Sequence, residues 1–268
     1  MELIDLEYDG IRLSSFNSMV CEIGNSSGVE TVSIGNTLTL NTVKNCATNK
    51  FRLSSTQYDE PYTEVFQIAK YDCSNKDNHV YSETEVAKIV RWLNQKEYKK
   101  FKKIYRDCEY SDMYYLGTFN LQKIKLGDEI IGLEMSFTAN SFSAFYEFEP
   151  LEVTLNTNEE FVIEDLSDEL GYLYPSIEIE CLEDGNLTIS NSKMDADCVI
   201  KNCRKNEKIV INGEIKHLES SYHDKLWNDF NFIYPKVIND LDSNENIYKF
   251  SLACKIKFSY YPVCKAVI

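Results

Sequence analysis

The 268-residue sequence predicts a mainly β protein in two parts. Three observations carry this. Tyr (18) and Phe (14) are abundant, and aromatic side chains suit the half-buried surface of a sheet. Short apolar–polar alternations separated by turn residues recur, most regularly after Pro150. Only one segment carries a complete helix signature. A chain of this length holds about one to two domains, and Pro150 marks the break, giving 1–150 and 151–268.

Residues 1–70 read as short strands with turns between them. Thr37-Leu38-Thr39-Leu40 and Val65-Phe66-Gln67-Ile68 have strand composition, and Asn25-Ser26-Ser27-Gly28 is a turn signal. The helix follows. Ser82 is a good N-cap with Glu85 three residues on, a capping box. Val86, Ile89, Val90 and Leu93 then share one face, and Asn94 ends the helix. Trp92 falls off the centre of that stripe and is expected to pack against a neighbouring element. The basic run Lys96, Lys99, Lys100, Lys102, Lys103 and Arg106 reads as a solvated face. Segments 114–124 and 129–138 form a strand pair around Leu126-Gly127-Asp128.

The second part is more strongly β. Ile177, Ile179 and Cys181 alternate with polar residues, and Asp184-Gly185 turns the chain into Leu187-Thr188-Ile189. Ile209-Val210-Ile211 and Glu214-Ile215-Lys216 flank Asn212-Gly213, a strong hairpin signal. Phe250, Leu252, Cys254, Ile256, Phe258 and Tyr260 alternate without a break and predict one strand with a buried face. Strands at such short spacing suggest a β-sandwich.

Charge restricts the partners. The chain has 28 basic and 43 acidic residues, a net charge of −15. Of these, 16 basic and 22 acidic residues precede residue 151, and 12 and 21 follow, so both parts are acidic. Neither part is a cationic platform for nucleic acid or for an anionic membrane surface. The acidic start Met1-Glu2-Leu3-Ile4-Asp5 lacks the apolar core of a signal peptide, and no apolar run of about 18 residues exists. No membrane insertion is expected. Nine cysteines, an odd number, are expected to be reduced thiols in a protein made in the cytoplasm.

Catalytic and metal patterns weigh against an enzyme. Gly24-Asn25-Ser26-Ser27-Gly28 matches G-x-S-x-G, but Val29–Ile34 after it is strand-like where a nucleophile elbow needs a helix. His217, Glu219, His223 and Asp224 fit no common metal spacing and read as surface or turn residues. Cys198 and Cys203 have no second close pair to complete a zinc site. Glu147 with Glu149, and Glu178 with Glu180, sit two apart on expected strands and read as solvated faces. No phosphate loop or dinucleotide fingerprint occurs. No cofactor, metal or catalytic residue is expected.

A run of residues in the middle of the chain resembles the distal tail protein family (Dit) of long-tailed bacteriophages. It comprises Arg91-Trp92-Leu93-Asn94, Tyr98-Lys99-Lys100-Phe101 and Asp112-Met113-Tyr114-Tyr115-Leu116-Gly117. It continues through Ile130-Ile131-Gly132-Leu133-Glu134-Met135-Ser136-Phe137 to Ala139-Asn140-Ser141-Phe142-Ser143-Ala144. Tyr174-Pro175-Ser176-Ile177 and Phe232-Ile233-Tyr234-Pro235 match the family's second domain more loosely. Phe142 stands where the family often has Pro.

The resemblance implies a belt domain over 1–150, a β-sandwich with one helix and a protruding hairpin, and a galectin-like β-sandwich over 151–268. It implies a structural virion protein of the tail tip or baseplate. Six copies would close into a ring hub with a channel for DNA, joining the tail tube protein to a hub or tip protein. Tape measure and receptor-binding proteins are further expected partners. The particle would be assembled in the bacterial cytoplasm. Expected interface residues on the helix and hairpin are Trp92, Leu93, Tyr115, Ile124, Leu126, Asp128 and Ile130. An alternative is a carbohydrate-binding module acting in host adsorption, with Tyr222, Trp227 and Tyr234 as glycan contacts.

Overall fold

The computed structural model describes residues 2–21, 23, 38–45, 50–58, 60–71, 79–107, 110–223 and 225–265. The turn at Asn25–Gly28, the G-x-S-x-G match, the strand-like 29–34 segment and Asp224 lie outside them. The chain divides into two compact units, one ending at Phe145 and joined by Lys265, the other Tyr146–Cys264.

The first unit begins with β1 (Leu3–Tyr8), β2 (Ile11–Arg12), β3 (Ser18–Val20), β4 (Leu38–Asn45), β5 (Lys50–Tyr58) and β6 (Thr63–Lys70). Helix α1 (Glu83–Leu93), β7 (Lys99–Tyr105), β8 (Met113–Leu126) and β9 (Glu129–Ala139) follow, with β10 (Ala144–Tyr146) at the junction. Its main sheet has the strand order β2-β1-β7-β8-β9-β6-β3 and curls far enough that β1 touches β3. Phe101, Phe119 and Phe137 fill the curl, with ring centroids 4.5–5.1 Å apart. Edge-on and tilted aromatic contacts of this kind add about 0.5–1.5 kcal/mol per pair beyond burial.

Helix α1 starts where its cap chemistry requires. The Ser82 hydroxyl accepts from the Glu85 N–H, and the Ser82 N–H donates to the Glu85 carboxylate at 2.8 Å. Val86, Ile89 and Leu93 are buried, whereas Val90 is exposed and leaves the expected stripe. Trp92 takes the remaining buried position. Its Nε1–H donates to the Tyr8 carbonyl at 2.8 Å and its ring stacks on Phe16. The helix contact face is thus rotated toward Trp92, because an indole N–H with a backbone acceptor satisfies its polar atom and buries more area than Val90.

The basic run is not uniformly solvated. Lys103 alternates inward on β7, and its ammonium meets Glu64 at 2.6 Å and the Tyr62 hydroxyl at 3.0 Å. Burial pulls the Lys103 pKa down, and the Glu64 carboxylate opposes that pull.

The second unit holds β11 (Leu151–Leu155), β12 (Glu160–Glu164), β13 (Gly171–Leu173), β14 (Ser176–Cys181), β15 (Gly185–Asn191) and β16 (Cys198–Cys203). Next come β17 (Lys208–Asn212), β18 (His217–Ser220), α2 (Leu226–Asp229), β19 (Val237–Asn239), β20 (Glu245–Phe250), β21 (Cys254–Ser259) and β22 (Val263–Cys264). A five-stranded sheet, β11-β21-β14-β17-β18, packs on a four-stranded one, β12-β20-β15-β16; β13 and β19 form a separate pair. Ile177, Ile179, Ile256 and Phe258 from the first meet Leu187, Ile189, Ile200 and Phe250 from the second. The thiols of Cys198 and Cys254 sit in this core, where burial pushes each up to about 12.

Two sequence expectations are corrected here. The unbroken alternation from Phe250 to Tyr260 is two strands, not one. All six side chains are buried, but β20 belongs to the four-stranded sheet and β21 to the five-stranded one. The chain changes sheets at Ser251–Ala253, where the Ser251 hydroxyl bonds the Asn186 carbonyl and the Thr188 N–H, and Glu183 accepts from the Ala253 N–H. Glu214-Ile215-Lys216 is a loop, not a strand. Asn212 pairs directly with His217 across a four-residue connection. The Asn212 side chain accepts from the Glu214 and Ile215 N–H groups, and Lys216 is left-handed at φ +55°. An Asx turn competes successfully with strand extension.

Candidate functional site

A surface suited to assembly lies on β4 and β5. These strands pair only with each other among the described residues. An isolated two-stranded ribbon is marginal in water without something to pack on. The register shows why this one is amphipathic. Leu38 opposes Tyr58 and Leu40 opposes Thr56, but Thr42 opposes Leu53 and Lys44 opposes Phe51. Ser54 is therefore an extra residue, a bulge that shifts the phase of β5 by one. Directly opposed residues share a face. The shift thus brings Phe51 and Leu53 onto the same face as Leu38, Leu40 and Tyr58, a face that also carries Thr42, Lys44 and Thr56. The other face carries Thr39, Asn41, Arg52, Ser55 and Gln57, with Val43 its one large apolar residue. At the root, Tyr58 stacks on Phe142 with centroids 3.7 Å apart. Beyond it Leu38, Leu40, Leu53 and Phe51 are exposed, Phe51 at 68%. Contiguous exposed apolar side chains of this size mark interaction surfaces.

The β8–β9 hairpin is a second projecting feature. Leu126 opposes Glu129 across Gly127-Asp128, with Gly127 at φ +64°. Glycine in the first central position is what a type II′ turn requires. Leu126 is 70% exposed, Asp128 is exposed and Ile124 is partly exposed. Trp92, Leu93, Tyr115 and Ile130, grouped with them from the sequence, are instead buried inside their own unit. They offer no surface to another molecule, because their area is already used by the fold.

In the second unit, Trp227 and Tyr234 belong to one aromatic chain. Trp227 stacks on Phe232, Phe232 contacts Phe230, and Phe230 meets Tyr234 edge-on. Tyr222 stands apart, with the Arg204 guanidinium over its ring.

His217 is a surface residue, 3.4 Å from the exposed Glu219. His223 is not. Its Nδ1 lies 2.5 Å from Glu207, a carboxylate with no exposure, and its Nε2 lies 3.1 Å from the Lys201 carbonyl. Both ring nitrogens face oxygen atoms, with the Asp229 carboxylate a further 3.6 Å contact of Nε2. Glu207 also accepts from the Ser220 hydroxyl and, at 2.8 Å, from the Arg204 N–H. With Nε2 committed to a backbone carbonyl, this cluster is a structural clamp.

Glu178 and Glu180 do share the outer face of the five-stranded sheet, in a shallow groove of about 480 Å³. Lys255 lies 3.6 Å from Glu180, and Lys257 lies 3.9 Å from Glu152. The groove is a ladder of opposed charges with no aromatic platform in its lining. Glu147 and Glu149 lie in the connection between β10 and β11, not on a strand. Among the described residues no group of three or more His, Cys, Asp or Glu could hold a metal.

Both units are thus β folds, and the first bears an amphipathic two-stranded ribbon that pairs with no other strand among the described residues. The chain belongs to the phage tail protein family. Residues 1–141 match the phage tail protein N-terminal domain and residues 143–260 the phage tail C-terminal domain. Among solved structures the fold is similar to the Dit protein of phage SPP1, described as a paradigm of the hub adsorption apparatus in phages infecting Gram-positive hosts. The two are 8% identical, with a TM-score of 0.64 over 96% of this chain and 98% of that one. At this identity the likeness is one of fold. No curated protein matches the sequence. The protein is thus a structural component of a bacteriophage tail with the Dit hub fold.

Proposed function

We propose that six copies close head-to-tail into a ring hub, with residues 1–150 as the belt and 151–268 as the outer galectin-like domain. The hub joins the tail tube to the tip or receptor-binding apparatus and leaves a channel for DNA. The observation that carries this reading is the exposed apolar face of the β4–β5 ribbon. A closed ring needs two different patches that meet between neighbours. The ribbon supplies one patch in the form of an arm, and its occupant is the next copy of the same chain. Covering Leu38, Leu40, Phe51 and Leu53 contributes about 1.5–3 kcal/mol per side chain before the costs of association. The exposed hairpin tip at Ile124, Leu126 and Asp128 belongs to the same interface reading. Six copies at −15 each would let DNA pass without adhering if the acidic faces line the lumen; a lysine-lined lumen would contradict that part.

The test compares the native chain with a Phe51→Ser, Leu53→Ser double variant by native mass spectrometry and negative-stain imaging. The native chain is expected to form six-fold rings. The variant is expected to be a folded monomer melting within about 0.5 kcal/mol of the native subunit, as exposed substitutions do. Rings formed equally well by the variant, or a native chain that stays monomeric at high concentration, would overturn the proposal.

A further inference from the structure

The second unit contains a cavity of about 450 Å³ that the hub role does not use. Tyr174, Phe232 and Tyr234 form its aromatic walls, and Lys193, Lys216 and Lys236 bring ammonium groups to it. Lys193 is already committed, to Asp240 at 3.1 Å and to the Ile238 and Ser243 carbonyls. Lys216 and Lys236 are different. The Lys216 ammonium sits 3.6 Å over the Tyr174 ring and 4.7 Å from that of Tyr234. The Lys236 ammonium sits 4.0 Å over Tyr172 and 5.8 Å from the same Tyr174 ring. Two like charges therefore share one ring, and among the described residues neither has a carboxylate within the 4.0 Å of an ion pair. Asp195 also lines the cavity and is exposed, outside ion-pair distance of either ammonium. In a chain of net charge −15, two cations around one ring, neither of them ion-paired among the described residues, favour the approach of an anion.

The cavity is also built at a cost. Of the residues lining it, Lys216 (φ +55°) and Phe232 (φ +61°) are non-glycine residues in the left-handed region. Such conformations cost about 1–3 kcal/mol each and persist where surrounding bonds over-determine them. The Tyr234 hydroxyl donates to the Lys216 carbonyl at 3.0 Å. Beside Phe232, the Asn231 side chain bonds the Val199 N–H, the Ile233 N–H and the Asp197 carbonyl. The result of this pinning is an aromatic ring that is 61% exposed and stacked with Trp227. Tyr174 is seated equally closely: a Cβ on Gly213 would lie 2.5 Å from its ring. Lys216 also holds the Tyr174 phenol below its usual range.

We propose that this cavity binds an anionic saccharide. The anion bridges Lys216 and Lys236, and the apolar C–H face of the sugar packs on the Phe232 ring. The volume suits a ligand of one or two sugar rings. A tail protein would gain from it a contact with acidic sugar polymers on a cell surface. The inference does not depend on ring closure, so it can fail while the hub reading stands.

Calorimetric titration of the full chain with glucose 6-phosphate, glucuronate, glucose and inorganic phosphate tests it. The two anionic sugars are expected to bind, glucose and phosphate each about tenfold more weakly, and binding to fall as salt rises. A Lys216→Gln, Lys236→Gln double variant is expected to lose about tenfold in affinity. Phe232→Gly is expected to lose a similar factor while melting at the same or a higher temperature, because glycine adopts the left-handed conformation freely. That pairing of lost affinity with kept stability separates a binding ring from a structural one. No binding of either anionic sugar, or unchanged affinity in both variants, would overturn the proposal. Equal affinity for phosphate alone would remove the saccharide from it.

Discussion

At the residue scale, the capping box at Ser82 and Glu85 has a measurable acid signature. Lys70 donates to the Glu85 carboxylate at 2.8 Å, and with the Ser82 bonds this lowers Glu85 from the usual 4.5 to about 2. A carboxylate depressed in the folded state contributes stability that is complete above its unfolded value. That contribution drains as pH falls from about 4.5 toward about 2. The side chain is 38% exposed, so solvent screening limits the contribution to about 1 kcal/mol. Glu85→Gln is expected to lose about that much in denaturant melts at pH 7 and almost nothing near pH 2. An equal loss at both would show that the ionised form is not what matters. Trp92 teaches a related lesson. The periodicity of apolar residues placed Val90 on the buried stripe, but the hydrogen-bonded indole two residues on took the buried place.

At the scale of elements, the Glu207–His223 clamp ties the turn before β17 to the segment after β18. Removing one partner of a buried hydrogen-bonded pair leaves the other's polar atoms unsatisfied and costs about 1–3 kcal/mol. Glu207→Ala and His223→Ala are each expected to destabilise the second unit by about 2 kcal/mol, and the double variant by clearly less than the sum of the two. Strict additivity in a double-mutant cycle would dissolve the pair. The β4–β5 ribbon makes the complementary point about surfaces. Leu38-Thr39-Leu40 and Phe51-Arg52-Leu53 each alternate visibly in the sequence. Whether the two apolar sets share a face depends on the bulge at Ser54, which no periodicity announces.

At the scale of the whole molecule, charge opposes assembly. Copies carrying −15 each repel one another, and counterions screen that repulsion over about 10 Å at 0.1 M salt. For the proposed ring, the assembled fraction is therefore expected to rise between about 20 mM and about 500 mM salt, read by analytical ultracentrifugation. A fall over that range would mean that ion pairs, not the apolar ribbon, close the interface. The family assignment covers both units, residues 1–141 and 143–260, so the tail role belongs to the chain as a whole.

The sequence alone determined what is local or periodic. The capping box, the Gly127-Asp128 turn, the alternation of buried residues in both units and the order of elements around Trp92 are all set by neighbours a few residues apart. Such interactions leave a pattern in the chain. Tertiary structure decided everything that depends on which distant groups meet. It split one continuous alternation between two sheets, turned Lys103 and His223 inward against Glu64 and Glu207, and buried four of the residues expected at an interface. It also drew Lys216, Lys236, Tyr174 and Phe232 from separate segments into one cavity. Burial and counter-charge are properties of a place in space, and residue order constrains that place only after the sheets have closed.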